Sequence, residues 1–427
     1  NAMHERMEDV YQQFFEAGQR PALVLAHSKS KVMFGEALEK STFQNSYDSL
    51  GDDELTASQA ALAWLYDNRK KALLAHVGVG TIDQALLAIL PARYQSLRLF
   101  GLFRKVLIVD EVHANDAYVH RLLQTLLEFH GRMGGSAILL SATLPQSMRA
   151  ELLRAYARGI GGNCIVDSEK IAAYPLLTHF VSGKPSEATF EARLELSRNI
   201  SVKSLGDEDL VFDYIEKKTK LGACICWVRN TVYDAFNAYE KACERWGTEN
   251  VILFHARFTL WDRLEKEDLV KKCFGKGGRA SDRQGKVLIA TQVVEQSLDL
   301  DFDYMVTDLA PIDLILQRAG RLRRHRRDIS GNSLSEGVDQ RGPIELAVLM
   351  PEPVDAASSN WYSKMFPKAA YVYAGHGQLW LTARWLVERC SFSVPQDTRN
   401  MIEFVYGADA LNQIPPGLET RQLRADG

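Results

Sequence analysis

Short apolar runs alternate along the chain with longer stretches whose apolar residues recur at helical spacing, the pattern of strands covered on both faces by helices. The runs predict strands over residues 22–26, 71–77, 105–110, 137–141, 223–228, 251–255, 286–290, 304–308 and 344–350. Between them the spacing predicts helices over 117–129, 145–158, 231–246 and 259–271, with Asp116, Thr143 and Asn230 at or near their starts as capping residues. Alternation of this kind requires crossover connections, so the sequence predicts an α/β fold of two doubly wound parallel sheets. One set of strands fills residues 1–160 and the other residues 206–350, with a segment of mixed character at 161–205 between them. Beyond residue 350 the pattern changes to Trp361, Tyr362, Trp380 and Trp385 in a helical context, which predicts a C-terminal extension over 351–427 packed on the second sheet. Gly275, Gly277 and Gly278 mark 274–283 as an exposed, mobile connection.

At roughly 150 residues per domain, 427 residues give two to three domains. Hydrophobic residues make up 46% and charged residues 25%, which excludes a disordered or fibrous chain. The net charge of −3 excludes a protein held on nucleic acid by bulk charge, so any such contact is local. The cysteines at 164, 224, 226, 243, 273 and 390 form no CxxC pair, and they read as buried or free thiols in a reducing compartment, Cys224 and Cys226 as core. No apolar run reaches the roughly eighteen residues that span a bilayer, and the acidic start has no signal-peptide form. The sequence therefore predicts a cytoplasmic protein with no membrane partner. Trp227, Trp361, Trp380 and Trp385 read as packing residues, and His27, His76 and His255 as strand-end histidines outside any metal cluster.

The sharpest chemical signal is Val106-Leu107-Ile108-Val109-Asp110-Glu111-Val112-His113, a buried strand followed at once by two carboxylates. Parallel sheets bind ligands at the carboxyl ends of their strands. An aspartate there can hold Mg²⁺, directly or through water, and the glutamate beside it can orient a water for attack on a γ-phosphate. A second strand ends in Ser141-Ala142-Thr143, and a third runs through Ala290-Thr291-Gln292 into Glu295 and Asp299. Then comes Gln317-Arg318-Ala319-Gly320-Arg321-Leu322-Arg323-Arg324, where six arginines fall within residues 318–327. On a helix Gln317, Arg318, Arg321 and Arg324 would share one face, and arginine forks suit phosphate.

In this order the four segments resemble the motifs of superfamily 2 helicases: a DExH box, a SAT segment, a strand ending in Ala-Thr, and a QRxGRxxR arginine helix. Val79-Gly80-Thr81-Ile82-Asp83-Gln84, Asp110-Glu111-Val112-His113-Ala114, the string from Ala290 to Asp299, and Asp308-Leu309-Ala310-Pro311 narrow the resemblance to the CRISPR-associated helicase-nucleases of type I interference systems, over nearly the whole chain. The resemblance implies two tandem RecA-like lobes with ATP and Mg²⁺ in the cleft, and ATP-driven translocation on single-stranded DNA after recruitment by a crRNA-guided surveillance complex. It implies that Asp110 binds Mg²⁺, that Glu111 positions the attacking water, and that Arg321 and Arg324 are γ-phosphate fingers. His113, Ser141 and Thr143 couple hydrolysis to lobe movement, Gln317 and Arg318 line the cleft, and Asp299 reaches the ribose or the opposite lobe. Thr81 and Gln84 on the first lobe, and Arg229, Asn230, Thr291 and Gln292 on the second, track the DNA backbone.

Two features of the family are missing from the 427 residues. No glycine-rich GKT or GKS loop precedes Asp110, and no His-Asp dipeptide of the family's nuclease occurs. The sequence thus reads as a helicase core truncated at its first lobe, inactive as an ATPase by itself, whose P-loop and nuclease portion lies elsewhere in the parent. Asn1-Ala2 before Met3 fits either a truncated parent or a native start at Met3. The alternatives are a non-catalytic split subunit that binds nucleic acid or docks a separate P-loop protein, and another superfamily 2 DNA translocase.

Overall fold

The computed structural model describes residues 7, 10, 13–15, 23–26, 71–112, 117–165, 174–181, 183–191, 197–295 and 298–426. The chain divides into two compact α/β units, one of Asn1–Leu144, Met148–Asp167 and His179–Ser186, the other of Pro145–Ser147, Ser168–Thr178 and Glu187–Gly427. Among the described residues no helix is long and apolar enough to cross a membrane.

In the first unit β1 (Leu23–Ala26) pairs in parallel with β2 (Val77–Gly80), and β3 (Val106–Val109) with β4 (Ser136–Leu139). The helix Ala117–Arg132 makes the crossover between β3 and β4, and it buries Leu123, Leu126 and Leu127 with Val109 and Val112. The predicted strand over 71–77 is displaced: Ala72–Leu74 form a 3₁₀ turn, and the strand begins at Val77. An apolar run alone does not choose between the two, and here alanine and leucine take the turn while β-branched Val77 and Val79 take the strand. Lys105, at the start of β3, donates its ammonium to the carbonyls of Leu73 and Ala75 and so ties the two strand pairs together.

β5 (Leu176–Val181) and β6 (Lys184–Thr189) form a further two-stranded sheet. The second unit is built on β7 (Arg198–Leu205), β8 (Ile225–Val228), β9 (Val251–Phe254), β10 (Val287–Ala290), β11 (Tyr304–Asp308), β12 (Ile344–Leu349) and β13 (Ser391–Val394). Their order in the sheet is β13-β7-β12-β11-β8-β10-β9, parallel throughout except for β13 against β7. Every residue of β8, β9 and β10 is buried, which is why those strands read as unbroken apolar runs. β7 lies within 161–205 and β13 within 351–427, and both join the sheet; each carries polar residues on its outward positions, which hid it from a search for apolar runs. Cys224, Cys226 and Trp227 are fully buried, and Trp361, Trp380 and Trp385 nearly so, as packing residues should be.

The glycine-rich stretch after residue 274 is exposed at Lys276, Gly277, Arg279 and Ser281 as its composition predicts, but it is anchored at its other positions. Phe274 and Arg283 are buried, and Gly275 bridges to Leu300. The Arg327 guanidinium takes two of its acceptors from this stretch, the carbonyls of Gly275 at 2.8 Å and Gly278 at 2.7 Å. A Cβ on Gly278 would stand 2.7 Å from the Cys273 carbonyl and one on Gly275 2.4 Å from the Lys271 carbonyl, so these two glycines are there for close backbone approach.

Candidate functional site

In the first unit the backbone around the carboxylate pair is fixed on both sides. Leu140 N donates to Val109 O at 2.8 Å and Val112 N to Leu140 O at 3.1 Å, so Asp110 and Glu111 lie between two ladder bonds at the carboxyl end of β3. Val112, completely buried, anchors the far side. Glu111 has φ +55°, a left-handed backbone that costs a non-glycine residue energy and recurs at functional turns. The Glu111 amide donates to Asp110 Oδ1 at 3.0 Å, and both carboxylates are exposed. Hard oxygen donors at a strand end suit Mg²⁺, so Asp110 fits the role of its ligand.

Leu140 leads directly into Ser141, whose Oγ accepts from the Thr143 amide at 3.2 Å. Thr143 is not a helix cap, for the next helix, Gln146–Gly159, begins three residues later. Its hydroxyl is buried without a hydrogen-bond partner. Thr81 is exposed at the start of the helix Ile82–Leu86, and Gln84 is half-buried in its first turn. His113 and Asp116 lie outside the described residues.

In the second unit the helix Ile312–Ala319 carries Gln317 and Arg318, but it stops at Gly320. The predicted helical face of Gln317, Arg318, Arg321 and Arg324 is therefore broken. Leu322 is buried and bridges to Phe302, the Phe302 amide donates to Arg321 O at 3.1 Å, and Arg323 turns the chain with φ +45°. Arg321 and Arg324 stand on this turn. Arg324, exposed, holds Asp299 at 2.7 Å, and the half-buried Arg321 donates to Glu295 O at 2.8 Å. Gln317 is half-buried.

Arg318 does not line an open surface. It is fully buried, with Nε on Glu295 Oε1 at 2.6 Å and Nη1 on Thr307 Oγ1 at 2.6 Å and Asp308 O at 3.1 Å. Burial pushes the Glu295 carboxyl up, against the pull of Arg318. Arg229, Asn230 and Thr291 also turn inward. Arg229 donates to Asp308 Oδ2 at 2.9 Å and Glu208 Oε1 at 2.8 Å, Asn230 donates to Leu309 O at 2.7 Å, and all three residues are nearly inaccessible. They join the strand ends of β8, β10 and β11 to one another instead of presenting donors to a nucleic-acid backbone. A parallel sheet buries the tips of its central strands under the following loops, so a polar residue just past such a tip is used internally. Gln292, half-buried, gives its amide to Asn230 O at 2.9 Å and Tyr373 Oη at 3.1 Å.

Sequence reasoning missed the partners of this network. Glu295 and Asp308 stood in the strings already singled out, and their strand-end placement was the available signal. Tyr362 and Tyr373 gave none: Tyr373 Oη accepts from Arg318 Nη2 at 3.4 Å across 55 residues of sequence.

Residues 221–327 match the family described as CRISPR-associated nuclease/helicase Cas3, C-terminal. The CRISPR-associated endonuclease/helicase Cas3 of Escherichia coli is 39% identical over 336 residues, 77% of this chain and 36% of that protein. Its counterpart from Thermus thermophilus is 33% identical over 88% of this chain and 42% of that protein. Among solved structures, the crystal structure of T. fusca Cas3 superposes with a TM-score of 0.80 at 30% identity, covering 100% of this chain and 48% of the other. The chain thus spans less than half the length of these relatives. The shared stretch contains the Asp110-Glu111 turn, the Ser141–Thr143 segment and the arginine turn, and by sequence and fold together the chain belongs to the Cas3 family of CRISPR-associated nuclease/helicases.

Proposed function

We propose that this chain forms the motor lobes of an ATP-driven single-stranded DNA translocase in type I CRISPR interference. The observation that carries the reading is the Asp110-Glu111 turn, two exposed carboxylates pinned between ladder bonds at the carboxyl end of a parallel strand, with Glu111 in a left-handed conformation. Asp110 would hold Mg²⁺, which when bound neutralises charge on the phosphate oxygens. Glu111 orients and deprotonates the attacking water. Arg321 and Arg324 meet the γ-phosphate, with Arg324 leaving Asp299 to do so. Ser141, Thr143 and Gln317 relay hydrolysis to movement, and Thr81 and Gln84 follow the DNA backbone. T. fusca Cas3 structures named for ADP, AMPPNP and ATP, at 30–32% identity, support nucleotide as the ligand. A structure named as a CRISPR RNA-guided surveillance complex, pre-nicking, matches at 29% identity with a TM-score of 0.70 and supports the crRNA-guided complex as partner. We place this work in the cytoplasm.

The β- and γ-phosphates need a glycine-rich cradle that the 427 residues do not contain, so carboxylates and fingers alone cannot hold ATP in line. A steady-state hydrolysis assay with single-stranded DNA is expected to show negligible turnover by this chain. Robust turnover that disappears in Glu111→Gln would overturn that expectation. In a polypeptide that also carries the cradle, Arg321→Ala is expected to slow hydrolysis by about three to five powers of ten while the fold is retained. A normal rate there would refute the finger assignment.

A further inference from the structure

The nucleic-acid contacts first read from the second unit are used up inside it, as Arg229, Asn230 and Thr291 are buried. The same edge of the sheet nevertheless exposes aromatic surface. The helix Val232–Trp246, which follows β8, turns Ala235, Ala238 and Ala242 into the core and leaves Tyr233 53% and Phe236 47% exposed. These two are three residues apart and share a helix face. Lys368 Nζ lies over the Tyr233 ring. Three residues beyond Lys368, Tyr371 is 90% exposed, and two further on Tyr373 Oη accepts from Gln292 in the turn after β10. Tyr373 thus ties this segment to the carboxyl end of β10, and Lys368 ties it to the helix that follows β8.

Its charge is also distinctive. In a chain of net charge −3, residues 356–387 contain Lys364, Lys368 and Arg384 and no aspartate or glutamate. Lys364, on the helix Trp361–Met365, and Lys368, in the turn after it, are both exposed. On the helix Val232–Trp246, Asp234 is engaged by the Thr231 hydroxyl at 2.6 Å. Arg384 is taken by Asp355 and Glu388, which leaves Lys364 and Lys368 as the cations beside the rings. Solvent-facing rings with lysines beside them have the chemistry of a base-stacking platform along a phosphate backbone.

We propose that Tyr371, Tyr233 and Lys368 form a stacking subsite for single-stranded nucleic acid, the two rings taking bases and Lys368 a phosphate. This rests on the translocase reading and adds to it a surface outside the helicase motifs. The subsite is blind to base identity, since every base offers a π-face.

The test is the fluorescence anisotropy of a labelled oligo-dT strand, and of the same strand with abasic sites, titrated with this chain. Tyr371→Ala and Tyr233→Ala are each expected to weaken oligo-dT binding between about fivefold and about a hundredfold. Tyr371→Phe should bind as the parent does, and the abasic strand should bind weakly and be insensitive to either alanine. Lys368→Gln should flatten the dependence of log affinity on log salt by about 0.7. Tyr371 is so exposed that its alanine variant keeps the fold, which circular dichroism verifies. Two results overturn the subsite while leaving the translocase reading intact: oligo-dT binding unchanged in both alanine variants, or equal weakening for base-bearing and abasic strands. If this chain binds no strand at all, the nucleic-acid reading fails and the subsite with it.

Discussion

The two chemistry-bearing turns solve the same local problem in opposite settings. Each holds a non-glycine residue in the left-handed region, Glu111 at φ +55° and Arg323 at φ +45°, and each is fixed by backbone hydrogen bonds, the first to the end of β4 and the second to Phe302 just before β11. The Asp110-Glu111 turn, however, rests on a pair of strands whose outer face is open: Val106 and Ile108 on β3 are 60% and 62% exposed, and Ile138 on β4 is 47% exposed. The arginine turn rests on seven strands and is locked from below by charge. Asp301, fully buried, accepts from Arg283 at 2.9 Å, Arg327 at 2.6 Å and Arg341 at 3.0 Å, and from the His325 amide at 3.1 Å. A short turn is positioned as firmly as the sheet beneath it, so the arginines are held by the fold and the carboxylates chiefly by their own backbone.

The largest test of this contrast is Arg318→Met. It leaves the Glu295 carboxylate buried and unpaired and should destabilise the second unit by about 3–5 kcal/mol, read from native-state hydrogen exchange of β8, β10 and β11. Exchange in β3 and β4 should not move; if it does, the units do not unfold separately. Next, Ile289→Ala in β10, where the side chain is completely buried, should cost about 2–5 kcal/mol, against less than about 1 kcal/mol for Ile108→Ala in β3. Equal losses would show that β3 is covered as fully as β10.

Acid supplies a third test. Burial by itself pushes the Asp301 carboxyl up, but Arg341, Arg283 and Arg327 pull it down to about 2. Protons then bind the unfolded chain first, so this contribution is complete above the ordinary carboxylate value near 4 and drains as pH falls towards 2. The second unit should lose about 2 kcal/mol across that window, and Asp301→Asn should abolish this part of the slope. A wild-type slope in that variant would remove Asp301 as the source. The smallest effect is expected from Glu111→Gln, which should change stability by no more than about 0.5 kcal/mol, because the carboxylate is exposed and the backbone conformation is retained. A larger loss would mean that the Glu111 charge supports the turn as well as the chemistry.

Much of the fold was legible because fully buried parallel strands admit little but apolar residues, and β8 through β12 could be read directly. The two-sided strands β7 and β13 could not, since alternation with lysine, arginine and serine resembles loop. Of the candidate site, the placement of Asp110, Glu111 and Ser141 just past β3 and β4 was legible because an abrupt polar run after an apolar one marks a strand end. Arg229, Asn230 and Thr291 carried the same mark but not their direction, as exposure depends on what covers the strand tip, and Arg318 on its helix turned inward as well. The arginine spacing suggested one helical face, and Gly320 with the buried Leu322 ended the helix first.

By itself the sequence determined the five strands from β8 to β12, where carboxylates and arginines enter the chain, and that no phosphate-cradling loop lies among its 427 residues. Only the tertiary structure decided which arginines reach the surface, as Arg324 does, and which are spent on buried carboxylates and carbonyls, as Arg318 and Arg327 are. It also decided that a tyrosine 55 residues past Arg318 reaches the same network. The reason is physical: local pattern records how a segment meets water on average, whereas the partner of a buried charge is set by whichever distant group the packed sheet brings within about 3 Å.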